Sequence, residues 1–211
     1  SVGKIVDEVY HKGLGSIAER NFRPHVSCTR TTPDGHFVMS ADLGIDQVKI
    51  YHFDNKDERL SLVDMIPCDI NSAPRFFEFS RDGKFLYLMY EMKNVVDVFT
   101  YEAKPGCRMP QIEKIQTVPT TGSNKLSELT AATTLTLNAD EKFLFTTNAG
   151  DNSVCLYERD AETGLLKEKM CLPISGEYPK DVAIFPDNHH IASINHESGS
   201  ITFFKIDYST G

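Results

Sequence analysis

Seven histidines, five cysteines and a scatter of charged residues are the groups that could do chemistry in this 211-residue chain. Their spacing limits what that chemistry is. Cys28, Cys68, Cys107, Cys155 and Cys171 are odd in number, far apart and without a C-x-x-C pair. That is the pattern of reduced thiols serving as small core residues, not of a zinc site. His189 and His190 are adjacent, and neighbouring side chains on a strand point to opposite faces, so the two do not share a metal. Neither a metal nor a cofactor is expected. G-x-S-x-G, Walker A and G-x-G-x-x-G motifs are absent, and Gly13-Leu14-Gly15 lacks the rest of a nucleotide fingerprint. What remains is a set of single residues. His25 follows a proline at a strand start; its imidazole, with a free pKa of about 6.5, is either a general base or a structural histidine bonded to a carbonyl. Arg75 and Glu91, 16 residues apart, are either an ion pair bridging strands of one sheet or a guanidinium fork and a carboxylate offered to a ligand. Lys12, Arg20 and Arg23 are either cations for a phosphate or solvated surface.

The elements that must position these residues follow from a repeat. Four stretches share one grammar: an apolar strand, a turn carrying an aspartate, an alternating strand, a second turn with Gly or Asn, and a third alternating strand. The turn aspartates are Asp34, Asp82, Asp140 and Asp187, at spacings of 48, 58 and 47 residues. The loop over residues 120–128 accounts for the longer interval. A period near 50 residues with four antiparallel strands per unit describes an all-β fold, a β-propeller built from blades. We read residues 1–211 as one propeller domain or part of one, with units at about 23–72, 73–128, 129–178 and 179–211. Lys4–Tyr10 is expected to be the last strand of a further blade, able to pair with the fourth unit. The fourth unit stops where its own fourth strand should begin, so the chain reads as a fragment whose open blade edges invite self-association.

The order of several short motifs resembles the seven-bladed propeller lactonases, the family of the propeller-type 6-phosphogluconolactonases and the carboxy-cis,cis-muconate lactonising enzymes. The resemblance rests on Arg23-Pro24-His25, Pro33-Asp34-Gly35, Ser40-Ala41-Asp42-Leu43-Gly44, Ala73-Pro74-Arg75, Phe79 to Lys84, Tyr90-Glu91, Thr147 to Gly150 and Asn195 to Ile201, and covers nearly the whole chain. It implies a seven-bladed fold, and hydrolysis of a sugar lactone, foremost 6-phosphogluconolactone, in carbohydrate metabolism. Carried over by motif, it implies His25, Arg75 and Glu91 as catalytic residues, and Arg23, Glu128 and Asn148 as substrate-binding ones. The sequence departs from the family pattern at Phe76, where histidine is usual, and at Ala149, where arginine is usual. Lactone hydrolysis needs a base for water, a donor for the developing oxyanion and a hold on the substrate's anionic end. His25 fits the first role, with Glu91 orienting it or serving as base itself; Arg75 fits the second or third. A non-catalytic ligand-binding or scaffold propeller and a muconate-type lactonising enzyme are the alternatives.

Composition bounds the partners. Hydrophobic residues make up 40% and charged residues 25%, the balance of a folded globular chain. Asp plus Glu (30) exceeds Lys plus Arg (22) for a net charge of −8, which argues against nucleic acid or an anionic membrane as partner. A small anionic sugar lactone or related acid, held by a few local cations, remains compatible. No apolar h-region opens the chain and no run approaches the ~20 residues of a spanning helix, so a cytoplasmic location is expected.

Overall fold

A computed structural model describes residues 3–15, 23–122 and 129–209. Fifteen strands form four antiparallel sheets, each a simple meander. Sheet 1 holds Val26–Thr31 (β1), Phe37–Asp42 (β2), Gln47–Asp54 (β3) and Arg59–Pro67 (β4). Sheet 2 holds Pro74–Phe79 (β5), Phe85–Tyr90 (β6), Val95–Glu102 (β7) and Gln111–Pro119 (β8). Sheet 3 holds Ala131–Leu137 (β9), Phe143–Ala149 (β10), Ser153–Arg159 (β11) and Leu166–Pro173 (β12). Sheet 4 has three strands, Pro179–Ile184 (β13), His190–Asn195 (β14) and Ser200–Lys205 (β15). Successive sheets pack face to face, with β1, β5, β9 and β13 meeting their neighbours along the inner side. This is a partial β-propeller.

The hairpin between the first two strands of each sheet is built the same way. The carboxylates of Asp34, Asp82, Asp140 and Asp187 each accept the N–H two residues on, from His36, Lys84, Lys142 and His189. The residue after each aspartate sits at positive φ: Gly35, Gly83, Glu141 and Asn188. Two residues before the aspartate, Thr32, Ser80 and Asn138 tie the turn to the next strand by accepting the N–H of Phe37, Phe85 and Phe143. Sheet 4 has Phe185 at that position and lacks this tie.

Period-2 alternation then divides the side chains between two cores. In β6, Leu86 and Leu88 pack with Met39, Val48 and Ile50 of sheet 1, while Tyr87 and Met89 pack with Leu135, Leu144 and Tyr157 of sheet 3. A third core joins Phe145 and Leu156 to Val182 and Ile191. The continuous apolar run of β6 is thus the signature of a strand covered on both faces.

Two expectations are corrected. Residues 3–15 contain no strand, and Lys4–Tyr10 does not pair with sheet 4. Ile5, Val6, Val9 and Tyr10 are all exposed, so the segment buries no apolar face. Polar contacts hold the segment against sheet 1 instead: Asp7 accepts the N–H of Leu60, and His11 bonds Asp42. Not all five cysteines are free thiols, because Cys155 and Cys171, directly opposite on β11 and β12, form a disulfide. A cross-strand register, invisible in spacing alone, brings them together.

Candidate functional site

The inner strands open onto a cavity of about 640 Å³ lined from all four sheets, by His25, Ser27, Arg75, Phe76, Glu91, Thr133, Lys180 and Asp181 among others. One local device sets several of these side chains. The register of the first hairpin slips once in every sheet, at Ser27, Arg75, Thr133 and Lys180. A bulge of this kind leaves its extra residue out of the ladder and re-aims its side chain. Each of the four lies seven residues before its turn aspartate.

The first three bulge residues reach across to the next sheet. Ser27 Oγ donates to the carbonyl of Pro74 at 3.3 Å, Arg75 Nε to the carbonyl of Thr133 at 2.8 Å, and Thr133 Oγ1 to the carbonyl of Pro179 at 2.6 Å. Arg75 also pairs through Nη1 with Glu91 Oε2. Glu91 is 2% exposed and its backbone bridges two sheets, donating to the carbonyl of Ala73 and accepting from the N–H of Ala132. The Arg75 side chain keeps 25% of its surface exposed. The guanidinium is therefore fixed from two sides, with Nη2 not engaged by either bond.

His25 lines the same cavity from the segment that precedes β1. Its N–H donates to Asp42 Oδ1 at 2.7 Å, and the N–H of Gly44 donates to the same oxygen at 3.0 Å. Asp42 Oδ2 bonds His11 Nδ1 at 2.7 Å, and His11 stacks on Tyr51. Burial, and then the Asp42 charge, raise the Tyr51 phenol above its ordinary pKa. Gly44 lets the 23–25 segment lie against this turn, since a Cβ there would meet the Arg23 carbonyl oxygen at 1.9 Å. Together these contacts fix the His25 backbone at the cavity rim while leaving the residue exposed.

The structure thus gathers His25, Arg75 and Glu91 around one cavity. It does not bring Arg23 or Asn148 to that cavity. Arg23 is exposed. Asn148 is fully buried within sheet 3, where its Nδ2 donates to the Thr120 carbonyl at 2.6 Å and to Ser153 Oγ at 3.2 Å. Its place on the second strand of the sheet, not the inner one, is what removes it. Glu128 lies outside the described residues. Lys180 and Thr133 went unread in the sequence, yet the repeat contained the signal: counting back seven residues from each turn aspartate finds both. Pro24-His25 and Pro74-Arg75 look alike but are two residues out of register. Arg75 corresponds to Ser27, and Glu91 to Leu43, Ala149 and His196.

The chain as a whole has relatives among known proteins. The family model described as Lactonase, 7-bladed beta-propeller matches residues 1–211. The chain is 26% identical over 206 residues to the 6-phosphogluconolactonase of Bacillus subtilis (strain 168), covering 98% of this chain and 57% of that protein. It is 28% identical over 211 residues to a protein of Staphylococcus saprophyticus, covering 99% of this chain and 58% of that one. The structure of the Pseudomonas aeruginosa periplasmic gluconolactonase superposes with a TM-score of 0.87 at 28% identity, over 98% of this chain and 56% of that one. The chain spans slightly under three fifths of the length of these relatives.

Proposed function

The chain belongs to the lactonase family of seven-bladed β-propellers, and from that premise we propose that the intact protein hydrolyses a sugar lactone, with 6-phosphogluconolactone first among its substrates. The observation that carries this reading is the Arg75 guanidinium, anchored by Glu91 and the Thr133 carbonyl at the wall of an open cavity that His25 also lines. A donor held rigidly before the reaction begins is what an oxyanion requires.

In this reading the His25 imidazole takes a proton from water, and the resulting hydroxide adds to the lactone carbonyl carbon. The carbonyl π pair moves onto oxygen, and Arg75 Nη2 stabilises that oxyanion. Collapse re-forms the carbonyl and breaks the bond to the ring oxygen, which receives the proton from the imidazolium. One water is consumed and one hydroxy acid is released. Glu91, buried and paired, acts as a positioning residue for Arg75.

Among the described residues no helix is long and apolar enough to cross a membrane. The Cys155–Cys171 disulfide bears on the compartment: the pair found reduced in freshly lysed, alkylated cells would support the expected cytoplasmic location, whereas a disulfide already formed there would place the protein in an oxidising compartment.

The activity test is hydrolysis of 6-phosphogluconolactone by the intact protein, followed by acid release above the spontaneous rate. Arg75→Ala is expected to lower kcat by about 10²–10³-fold. Turnover no faster than the spontaneous reaction, or turnover indifferent to Arg75→Ala, overturns the reading. Binding of 6-phosphogluconate without turnover would identify a ligand-binding propeller.

A further inference from the structure

The two cations that line the cavity sit at the same place in the repeat but in different electrostatic company. Arg75 and Lys180 are the bulge residues of sheets 2 and 4. Nine residues beyond the turn aspartate, sheet 2 has Glu91, which pairs with Arg75. Sheet 4 has His196 at that position. The charge of Arg75 is therefore met by a carboxylate, whereas Lys180 Nζ lies over the Tyr178 ring at 5.0 Å. Tyr178 is in turn flanked edge-on by His196. Asp181 also lines the cavity and accepts the N–H of Val182 at 2.9 Å; among the described residues no ion pair joins it to Lys180. An aromatic face holds an ammonium in place without neutralising it.

We propose that Lys180 is the specificity residue of the cavity, binding the phosphate monoester of the lactone while Arg75 serves the carbonyl end. This rests on the lactone-hydrolase reading above and deepens it. A strongly hydrated point charge on a flexible stem suits a phosphate, whose charge is spread over three oxygens. Arg75 and Lys180 line one and the same cavity, whose volume exceeds that of a hexose phosphate. The division of labour predicts that the protein distinguishes phosphorylated from neutral lactones by one residue.

The experiment compares 6-phosphogluconolactone with glucono-δ-lactone in the intact protein, for the wild type, Lys180→Met and Lys180→Arg. Lys180→Met is expected to raise KM for the phosphorylated lactone by about ten- to a hundredfold, the range of a lost charge-assisted hydrogen bond, with kcat little changed. KM for the neutral lactone should not move, and Lys180→Arg should recover most of the loss. Equal changes on both lactones, a fall in kcat alone, or no change would overturn the proposal. Equal changes accompanied by a lower Tm would assign Lys180 a structural role between blades. If the wild type hydrolyses neither lactone, the hydrolase reading fails on its own, and binding of 6-phosphogluconate against gluconate decides about Lys180. Preference for the phosphorylated acid that Lys180→Met abolishes sustains the phosphate site; equal binding of both acids, or of neither, removes it.

Discussion

All six side chains of β6 are buried, whereas in β14, written in the same grammar, Ile194 is exposed, and in β15 Ile201 and Phe203 are 74% and 60% exposed. Sheet 2 is sandwiched between sheets 1 and 3; sheet 4 shares an apolar core with sheet 3 alone among the described sheets. The contrast separates two things that a propeller sequence encodes together. Alternation and turn chemistry make the blade, while a neighbour on each side makes it a core. Sheet 4 also lacks the polar tie beneath its turn, where Phe185 replaces the Thr32, Ser80 and Asn138 of the other sheets. The same asymmetry reaches the cavity, where the bulge cation of sheet 2 is neutralised by Glu91 and that of sheet 4 is not.

The largest effect should come from the cores. Phe77→Ala in sheet 2 empties a fully buried site and is expected to cost about 3–5 kcal/mol in urea unfolding of the 211-residue chain. Phe203→Ala in the same chain should cost no more than about 0.5 kcal/mol. Comparable costs would show that sheet 4 is covered in solution, by a second copy or otherwise; a rise in the Phe203→Ala cost in a longer chain would show that a further blade covers it. Next in size is the turn. Ser80→Ala leaves the Phe85 N–H and the Asp82 carboxylate each without one partner. It is expected to destabilise by about 1–2 kcal/mol. Phe185→Ala, at the equivalent place in sheet 4, removes no hydrogen bond from the turn and should cost less. A reversed order would mean that the ring contacts of Phe185 with His190 and Phe203 outweigh the serine tie.

The blades were legible because Asp34, Asp82, Asp140 and Asp187 mark the turns and the flanking strands alternate around them. Arg75 and Glu91 were also legible, and their mutual pairing, one of two readings open in the sequence, coexists in the structure with placement at the cavity. Other features were not, for physical reasons. Lys4–Tyr10 carries the β-branched and aromatic residue types of a strand, but a strand also needs a sheet edge and a face to bury, and neither is local information. Asn148 stands in a motif beside functional positions, yet its amide is spent on Thr120 and Ser153 inside the sheet. Lys180 was passed over because Tyr178-Pro179-Lys180 differs in side-chain type from Ala73-Pro74-Arg75, although the backbone bulge is the same. The Cys155–Cys171 pair required a register across two strands.

The smallest expected effect tests whether equivalent turn aspartates owe their acidity to different partners. Burial works against ionisation of Asp82, but the Ser80 hydroxyl, the Lys84 N–H and the nearby Lys84 and Arg159 charges outweigh it and lower its pKa below the ordinary 3.8. Asp187 is lowered first by the His190 side chain and then by the His189 and His190 N–H groups. Because both folded pKa values lie below those of the unfolded chain, each carboxylate contributes stability that is present above about pH 4 and lost as pH falls through the folded value. For Asp82, solvent screening limits this to a few tenths of a kcal/mol. Carboxyl-carbon NMR titrations should show Ser80→Ala moving Asp82 toward the ordinary value and leaving Asp187 in place. His190→Ala should move Asp187 and leave Asp82. Were His190→Ala to leave Asp187 unchanged, the backbone N–H groups alone would account for its acidity, and the two turns would be electrostatically alike despite their different neighbours.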